Sequence, residues 1–501
     1  MDESHHPTRK SRAFYHDMLS VQSRRCAAGV LRKAHHRILC SAFLSSSASA
    51  PATKHLEDEL EQLRTENARL RRIAGAQTTA DAAGSRAGPE VSKFVGARSV
   101  YSIEPHFWEP HVESPPPQMP CFRLMDDLGA VLPGADAYVP DLTRQQALAL
   151  MVTMVRVSEF DKIFLDAQRQ GRISFYMTSR GEEAASVGSA AALQPADWVL
   201  PQYRELGVFF WRGLGYDDVA NQLCSNKHDP AHGRQLPLHI GSPELNIMYI
   251  KSTLGTQCPH AAGAAYGTKL RREDRVAIAY VGEGTTSEGD FPSALNIAAV
   301  HGCPAIFFCR NNGYAISTGT SDQYAGDGVA PRGHAYGLPT IRIDGNDILA
   351  VIAATQRARR IGIEEKRPVL IEAMTYRVGA HSTSDDDTKY RNPEAPEVGW
   401  DSERAYWEAR SPIIRFGRYL HTKGWWSAQM EEDLRAASRK QAVAALNAAS
   451  QVSRPAYGTL FSDVYDEPTW MLREQEAKLK VHMEKYPLAY EEILQAARPA
   501  S

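Results

Sequence analysis

The chain has 501 residues, room for two or three domains, and its 57 Lys and Arg nearly balance 59 Asp and Glu, for a net charge of -2. That balance argues against a basic nucleic-acid binder, and no apolar run is long enough to span a bilayer. The seven cysteines are scattered without a CxxC pair, which argues against a disulfide framework or a zinc site and fits a reducing compartment.

Residues 1–53 do not read as a folded domain. No Asp or Glu occurs from Met18 through Leu56, while Arg24, Arg25, Arg32, Lys33 and Arg37 recur among Ser, Ala and Leu. This is the make-up of a mitochondrial transit peptide, with a disordered basic tail as the plainer reading. Residues 54–75 form a separate element. Leu56, Leu60, Leu63, Asn67 and Leu70 follow heptad steps with Asn at a core position, as in a short leucine zipper. Two and a half heptads make a marginal coiled coil, so an extra helix lying on its own protein competes with a partner helix. Residues 76–91 are Ala-, Gly- and Thr-rich and read as a linker.

The rest of the chain alternates strands and helices. Cys121 to Asp126 is strand-like. Leu142 to Gln170 has helical periodicity, with Leu148, Met151, Met154 and Val155 on an apolar side and its charged residues on a solvated or interface side. Gln202, Tyr203 and Arg204 fall where a strand gives way to a helix, and Arg204 there either clamps a phosphate or makes an ordinary ion pair. Val276–Val281 reads as a buried strand, Glu288–Val300 as a helix, and Ala305–Cys309 as a second strand. Strand, helix, strand makes the two strands parallel neighbours, and their carboxyl ends are where ligands bind in open sheets. Those ends carry Gly282-Glu283-Gly284 and Asn311-Asn312. The Glu283 carboxylate, the Asn312 amide oxygen and the Tyr314 carbonyl form a hard-oxygen set that suits Mg²⁺, and the glycines admit a diphosphate. The plainer reading is two ordinary turns. Thr340–Asp344 reads as a strand, Asp347 as the cap of a helix over 348–361, and Pro368–Tyr376 as a strand that opens into His381, a phosphate donor or acid–base group, or simply an exposed histidine. Residues 401–501 are mostly helical, with Trp425 and Trp426 suited to packing an interface. The fold class is therefore α/β, a mostly parallel sheet flanked by helices, followed by a helical carboxyl-terminal region.

The spacing of GEG, SEGD and RNNGYAIS resembles the thiamine diphosphate motif, although most thiamine enzymes have aspartate at the position of Glu283. Together with HSTSDD after residue 380 and LFSDVY after residue 459, it resembles the alpha subunits of mitochondrial branched-chain 2-oxo acid dehydrogenases, over roughly residue 92 to the end. The resemblance implies a thiamine diphosphate-binding domain over 92–400. It places the cofactor on Gln202, Tyr203, Arg204, Ser252, Leu254, Gly282, Glu283, Gly284, Thr285, Arg310, Asn312, Ile316 and His381. It places Mg²⁺ on Glu283, Asn312 and Tyr314, and a K⁺ on Thr253, Thr256 and Gln257. Lys251 and Thr253 depart from the family there, and a lysine beside a cation opposes it. Phe175, Tyr203 and Leu254 would line the substrate pocket, with His381 catalytic. Ser382 would be a kinase target, whereas Asn392 stands at the second phosphorylated position. The partners implied are a beta subunit in an α₂β₂ heterotetramer, a lipoyl-bearing acyltransferase core, and a regulatory kinase and phosphatase, all in the mitochondrial matrix. The reaction implied is oxidative decarboxylation of branched-chain 2-oxo acids. A pyruvate or acetoin dehydrogenase alpha subunit and a non-catalytic scaffold are the competing readings.

Overall fold

A computed structural model describes residues 118–391, 402–462 and 465–491. The transit peptide, the zipper-like segment, the linker and Asn392 lie outside the described residues.

Six strands, β1 (Cys121–Phe122), β2 (Trp198–Leu200), β3 (Ala277–Gly282), β4 (Ala305–Asn311), β7 (Thr340–Asp344) and β8 (Val369–Met374), form one sheet in the order β1-β7-β8-β4-β3-β2. Every pair in it is parallel. A small antiparallel hairpin, β5 (Tyr314–Ala315) and β6 (Thr318–Gly319), stands apart. The expected α/β class and parallel sheet hold. Strand and crossover-helix alternation enforces this architecture, because a parallel pair needs a connection long enough to return to the same edge.

The central strands are buried on both faces, as a two-sided parallel sheet requires. Ile278 and Tyr280 of β3 and Ile306 and Phe308 of β4 enter one core, whereas Ala277, Ala279, Val281, Phe307 and Cys309 enter another. The longer helices, of seven residues or more, are α1 (Arg144–Arg169), α2 (Glu183–Ala191), α3 (Leu206–Arg212), α4 (Tyr216–Leu223), α5 (Gln257–Leu270), α6 (Asp290–His301), α7 (Ile348–Arg360), α8 (Glu403–Ala409), α9 (Pro412–Thr422), α10 (Ala428–Gln451) and α11 (Trp470–Lys485). The first core is closed by α1, α3, α4 and the far half of α10. The second is closed by Ala261, Ala262 and Ala265 of α5 and Phe291, Leu295 and Ala298 of α6. Small residues on α5 let that helix sit close to the sheet.

Two expectations need correction. The strand at Cys121 is only two residues long, and the chain after it turns at once, with Met125 bridging Val131. The charged side of α1 is solvated only in part: Arg144, Lys162, Asp166 and Arg169 are exposed, but two acids are not. Glu159 is fully buried and held by Lys162, Arg435 and Arg439. Asp161, pushed up to about 7 by burial, accepts bonds from the Tyr176 hydroxyl at 2.8 Å and the Ser179 N–H at 2.7 Å. A polar residue inside an otherwise apolar helix face needs such partners, and sequence periodicity does not reveal them. Trp425 and Trp426 pack against this chain's own core with Phe416 and Leu420.

Thr143 caps α1 in a reciprocal box with Gln146. Asp347 does more than the expected cap on α7. One carboxylate oxygen accepts from the N–H groups of Leu349 and Ala350, and the other from those of Leu124 (2.6 Å) and Met125 (2.7 Å), with Arg415 3.6 Å away. It therefore joins the loop after β1 to α7 and α9. Replacing Asp347 with Ala strands these buried groups and is expected to cost about 3–5 kcal/mol in urea-induced unfolding of the chain; a loss below about 1 kcal/mol contradicts this role.

Candidate active site

The carboxyl ends of β2, β3, β4 and β8, four consecutive strands of the sheet, open into one cleft of about 240 Å³. Between β4 and β8 the chain order reverses, the crevice where open α/β sheets take ligands. Gln202, Tyr203, Arg204, Leu254, Gly282, Glu283, Gly284, Thr285, Arg310, Asn312, Tyr314, Ile316 and His381 all line this cleft. Two residues expected at the cofactor or the substrate do not. Phe175 packs against the core. Ser252 is exposed on the neighbouring loop, with its hydroxyl 2.9 Å from His239 Nε2. Ser382 sits beside the cleft in a turn in which the Asp385 N–H donates to its carbonyl at 3.1 Å.

The register of β3 and β4 sets Gly282 opposite Arg310, so Glu283 and Asn312 leave adjacent strands side by side. Glu283 Oε2 accepts the Asn312 N–H at 3.3 Å. Its Oε1 is buried with no hydrogen-bond partner, and burial raises the carboxyl's pKa. A buried carboxylate oxygen without a partner is costly unless something binds it. The Asn312 amide gives its N–H to Glu182 at 2.9 Å and accepts the Tyr314 N–H at 3.2 Å. Among the described residues no cluster of three or more His, Cys, Asp or Glu forms a metal site. What converges is one carboxylate, one amide oxygen and the carbonyl region of Tyr314, a set that fits Mg²⁺ with water or phosphate completing the shell. Around the potassium candidates, the Thr256 hydroxyl donates to the Thr253 carbonyl at 3.0 Å and the Gln257 amide donates to the Tyr280 carbonyl at 2.9 Å. Lys251 is exposed on the same loop.

The two glycines differ. A Cβ on Gly284 would meet Ala315 Cβ at 2.5 Å, so this glycine lets the turn pack on the β5–β6 hairpin. A Cβ on Gly282 would make only ordinary contact with Gln202 at 3.8 Å. The Gln202 side-chain oxygen accepts the Gly282 N–H at 2.9 Å and the Thr285 hydroxyl at 3.3 Å, which ties β2 to the Gly-Glu-Gly turn.

The arginines are not free phosphate ligands. Arg310 is fully buried between Glu182, at 2.6 Å, and Glu205, which it also bonds directly. Arg204 donates to the carbonyls of Thr178 and His381 and lies 3.6 Å from Glu182. Sequence reasoning missed Glu182, Glu205 and Arg377. The signal available was a pair of glutamates, Glu182-Glu183, set directly against the small-residue run of α2. Arg377 donates to the Ile316 carbonyl at 2.7 Å and to the Tyr390 hydroxyl at 2.8 Å. It thereby pins Ile316, a β-branched residue at φ 57 whose left-handed backbone is strained. The carboxyl-terminal helices reach the same rim. The Tyr314 hydroxyl donates to Glu403 at 3.1 Å, and Trp407 stacks on Tyr376 at 5.4 Å.

His381 Nε2 lies 3.0 Å from the Tyr203 hydroxyl, and the His381 backbone N–H donates to the Asp385 carboxylate at 2.7 Å. Burial, then Arg204 and Arg377, push its pKa down to about 3.

An α/β parallel-sheet fold with an acid, an amide and arginines at its strand ends defines a protein with a polar cleft whose chemistry suits an anionic ligand. The chain belongs to the dehydrogenase E1 component family, whose model matches residues 150–457. It is 46% identical over 401 residues to the 2-oxoisovalerate dehydrogenase subunit alpha 2, mitochondrial, of Arabidopsis thaliana, covering 80% of this chain and 82% of that protein. It is 48% identical over 374 residues to the mitochondrial 2-oxoisovalerate dehydrogenase subunit alpha of Dictyostelium discoideum, covering 74% and 82%. With the Homo sapiens counterpart it shares 44% identity over 396 residues, covering 79% and 86%.

A depressed folded-state pKa makes His381 a neutral group across the physiological range. Its contribution to stability is present above the unfolded pKa of about 6.5 and is lost as pH falls toward 3. Ring-proton NMR of labelled His381 in the cofactor-free chain is expected to show no titration between pH 5 and 8, and a midpoint near 6.5 contradicts the burial argument.

Proposed function

We propose that this chain is the alpha subunit of a thiamine diphosphate-dependent dehydrogenase that oxidatively decarboxylates branched-chain 2-oxo acids and passes the acyl group to a lipoyl arm of an acyltransferase core. The observation that carries the proposal is the buried, unpartnered Glu283 Oε1 beside Asn312 at adjacent strand ends. Glu283, Asn312 and the Tyr314 carbonyl would hold Mg²⁺, which would supply positive charge for the cofactor's diphosphate. The cofactor supplies the electron sink for decarboxylation. Tyr203 and His381 would hold the cofactor's anionic end, with His381 neutral and therefore able to donate or accept a hydrogen bond there. Leu254 and Tyr203 line the substrate side. Arg310 and Arg204 act on the cofactor as the positive members of a buried charge cluster, not as freely turning clamps. A potassium ion on Thr253, Thr256 and Gln257 is opposed by the charge of Lys251.

The names of the relatives support the branched-chain substrate over pyruvate or acetoin, and their mitochondrial designation agrees with the basic, acid-poor residues 18–56 in favouring the matrix. A beta subunit completes the site by supplying the acid that must face the reactive ring. With that subunit present, 2-oxoisovalerate is expected to be decarboxylated in preference to pyruvate; the reverse preference overturns the substrate assignment. Glu283→Ala is expected to raise the dissociation constant for thiamine diphosphate in Mg²⁺ by about 100-fold or more, about 2.7 kcal/mol, while leaving the fold intact by circular dichroism.

Ser382 is the regulatory position of this reading. A phosphate there adds about -1.5 to -2 charges to a turn that already holds Asp385, so repulsion opens the turn and withdraws the partner of the His381 N–H. Ser382→Glu is expected to abolish most decarboxylation by the α–β assembly, and full activity in that variant argues against regulation at this loop.

A further inference from the structure

We propose that Glu182 is a positioning residue for the metal: it fixes which atom of the Asn312 amide faces the cation. The inference rests on the reading of Glu283 and Asn312 as the metal pair. An asparagine side chain has one accepting oxygen and one donating NH₂, nearly identical in shape, so a flip of 180° would turn a donor toward the cation. Only the surrounding hydrogen bonds choose between the two. Here Glu182 Oε1 accepts from Asn312 Nδ2 at 2.9 Å, and the Tyr314 N–H donates to Asn312 Oδ1 at 3.2 Å. A carboxylate can only accept, so Glu182 enforces the orientation that leaves the oxygen on the metal side.

Glu182 cannot turn away from this task. It is fully buried, its Oε2 is held by Arg310 at 2.6 Å, and Arg204 lies 3.6 Å from its Oε1. Glu205 takes the other edge of Arg310, so the guanidinium is fixed from both sides. Glu283 cannot substitute for Glu182, because its contact is with the Asn312 backbone N–H. The chain thus sets a metal ligand through a residue that does not touch the metal, the arrangement by which outer-shell partners orient ligands.

The test uses the α–β assembly and calorimetric binding of thiamine diphosphate over a series of Mg²⁺ concentrations. In Glu182→Gln the new side chain keeps its oxygen on Arg310 and turns its NH₂ toward Asn312, which favours the flipped amide. The Mg²⁺ concentration for half-maximal cofactor binding is expected to rise about 10- to 100-fold. In Glu182→Gln/Asn312→Asp the Gln NH₂ instead donates to a carboxylate that offers oxygen to the metal in either orientation. The double variant is therefore expected to return toward the wild-type Mg²⁺ dependence, a recovery that a merely structural role for Glu182 would not produce. An unchanged Mg²⁺ dependence in Glu182→Gln, or a double variant no better than that single one, overturns the inference. If Glu182→Gln alone does not assemble, recovery of assembly and Mg²⁺ dependence in the double variant supports it, and no recovery overturns it. Absence of Mg²⁺-dependent binding in the unsubstituted protein overturns the site itself and is seen before any variant is made.

Discussion

Arg310 is buried at the end of β4 with a carboxylate on either side, Glu182 from the start of α2 and Glu205 from the start of α3. Charges out of water are tolerable only when paired and hydrogen-bonded in full, and removing one member leaves the others uncompensated. This cluster therefore locks together the elements that must agree for the cleft to exist. Through Glu182 it holds Asn312, and through Glu205 it holds the Gln202 N–H at 2.7 Å. Gln202 in turn holds the Gly282 N–H, so the ends of β2, β3 and β4 are tied into one network. Ion pairs of this kind add little net stability, and what they provide here is a single arrangement of the strand ends.

The sequence made the framework legible and left the buried electrostatics obscure. The run from Val276 to Asn312 carried a βαβ unit because apolar length, glycine breaks and helical spacing are local signals. The placement of Glu283 beside Asn312 followed from the parallel pairing alone. Asp347 was legible as a cap, but its second oxygen serves residues more than 200 positions earlier, a contact no local pattern encodes. Glu159 and Asp161 looked like part of a solvated or interface face because periodicity registers residue type and not the partners that other elements bring. Arg204 was legible only as a phosphate clamp or an ion-pair partner, and the partners of Arg204 and Arg310 stayed hidden for the same reason, since Thr178, Glu182 and Glu205 reach them from elsewhere in the chain. Phe175 was assigned to the pocket by resemblance, and here it is a partly buried side chain packed against the core.

The carboxyl-terminal helices also bear on the cleft. Glu403 bonds the Tyr314 hydroxyl, Arg404 bonds Asp387 at 2.5 Å, and Arg391 lies over the ring of Tyr376 while pairing with Asp387. The segment carrying His381 and Ser382 is thus fastened at its far end by residues whose partners lie in α8. Charge added at Ser382 acts against these few contacts, which explains how one modified side chain could disturb the cofactor's phosphate end without unfolding the sheet.

The central claim is that Glu283 and Asn312 present oxygen to a divalent cation that also holds a diphosphate. Mn²⁺ in place of Mg²⁺ tests it most directly, by electron–nuclear double resonance on the α–β assembly loaded with thiamine diphosphate. With ¹³C-carboxyl-labelled glutamate, the account predicts one bound Mn²⁺ coupled both to ³¹P and to a single glutamate carboxyl, with the ¹³C coupling lost in Glu283→Ala. Mn²⁺ that retains its ³¹P and ¹³C couplings in that variant would contradict the account.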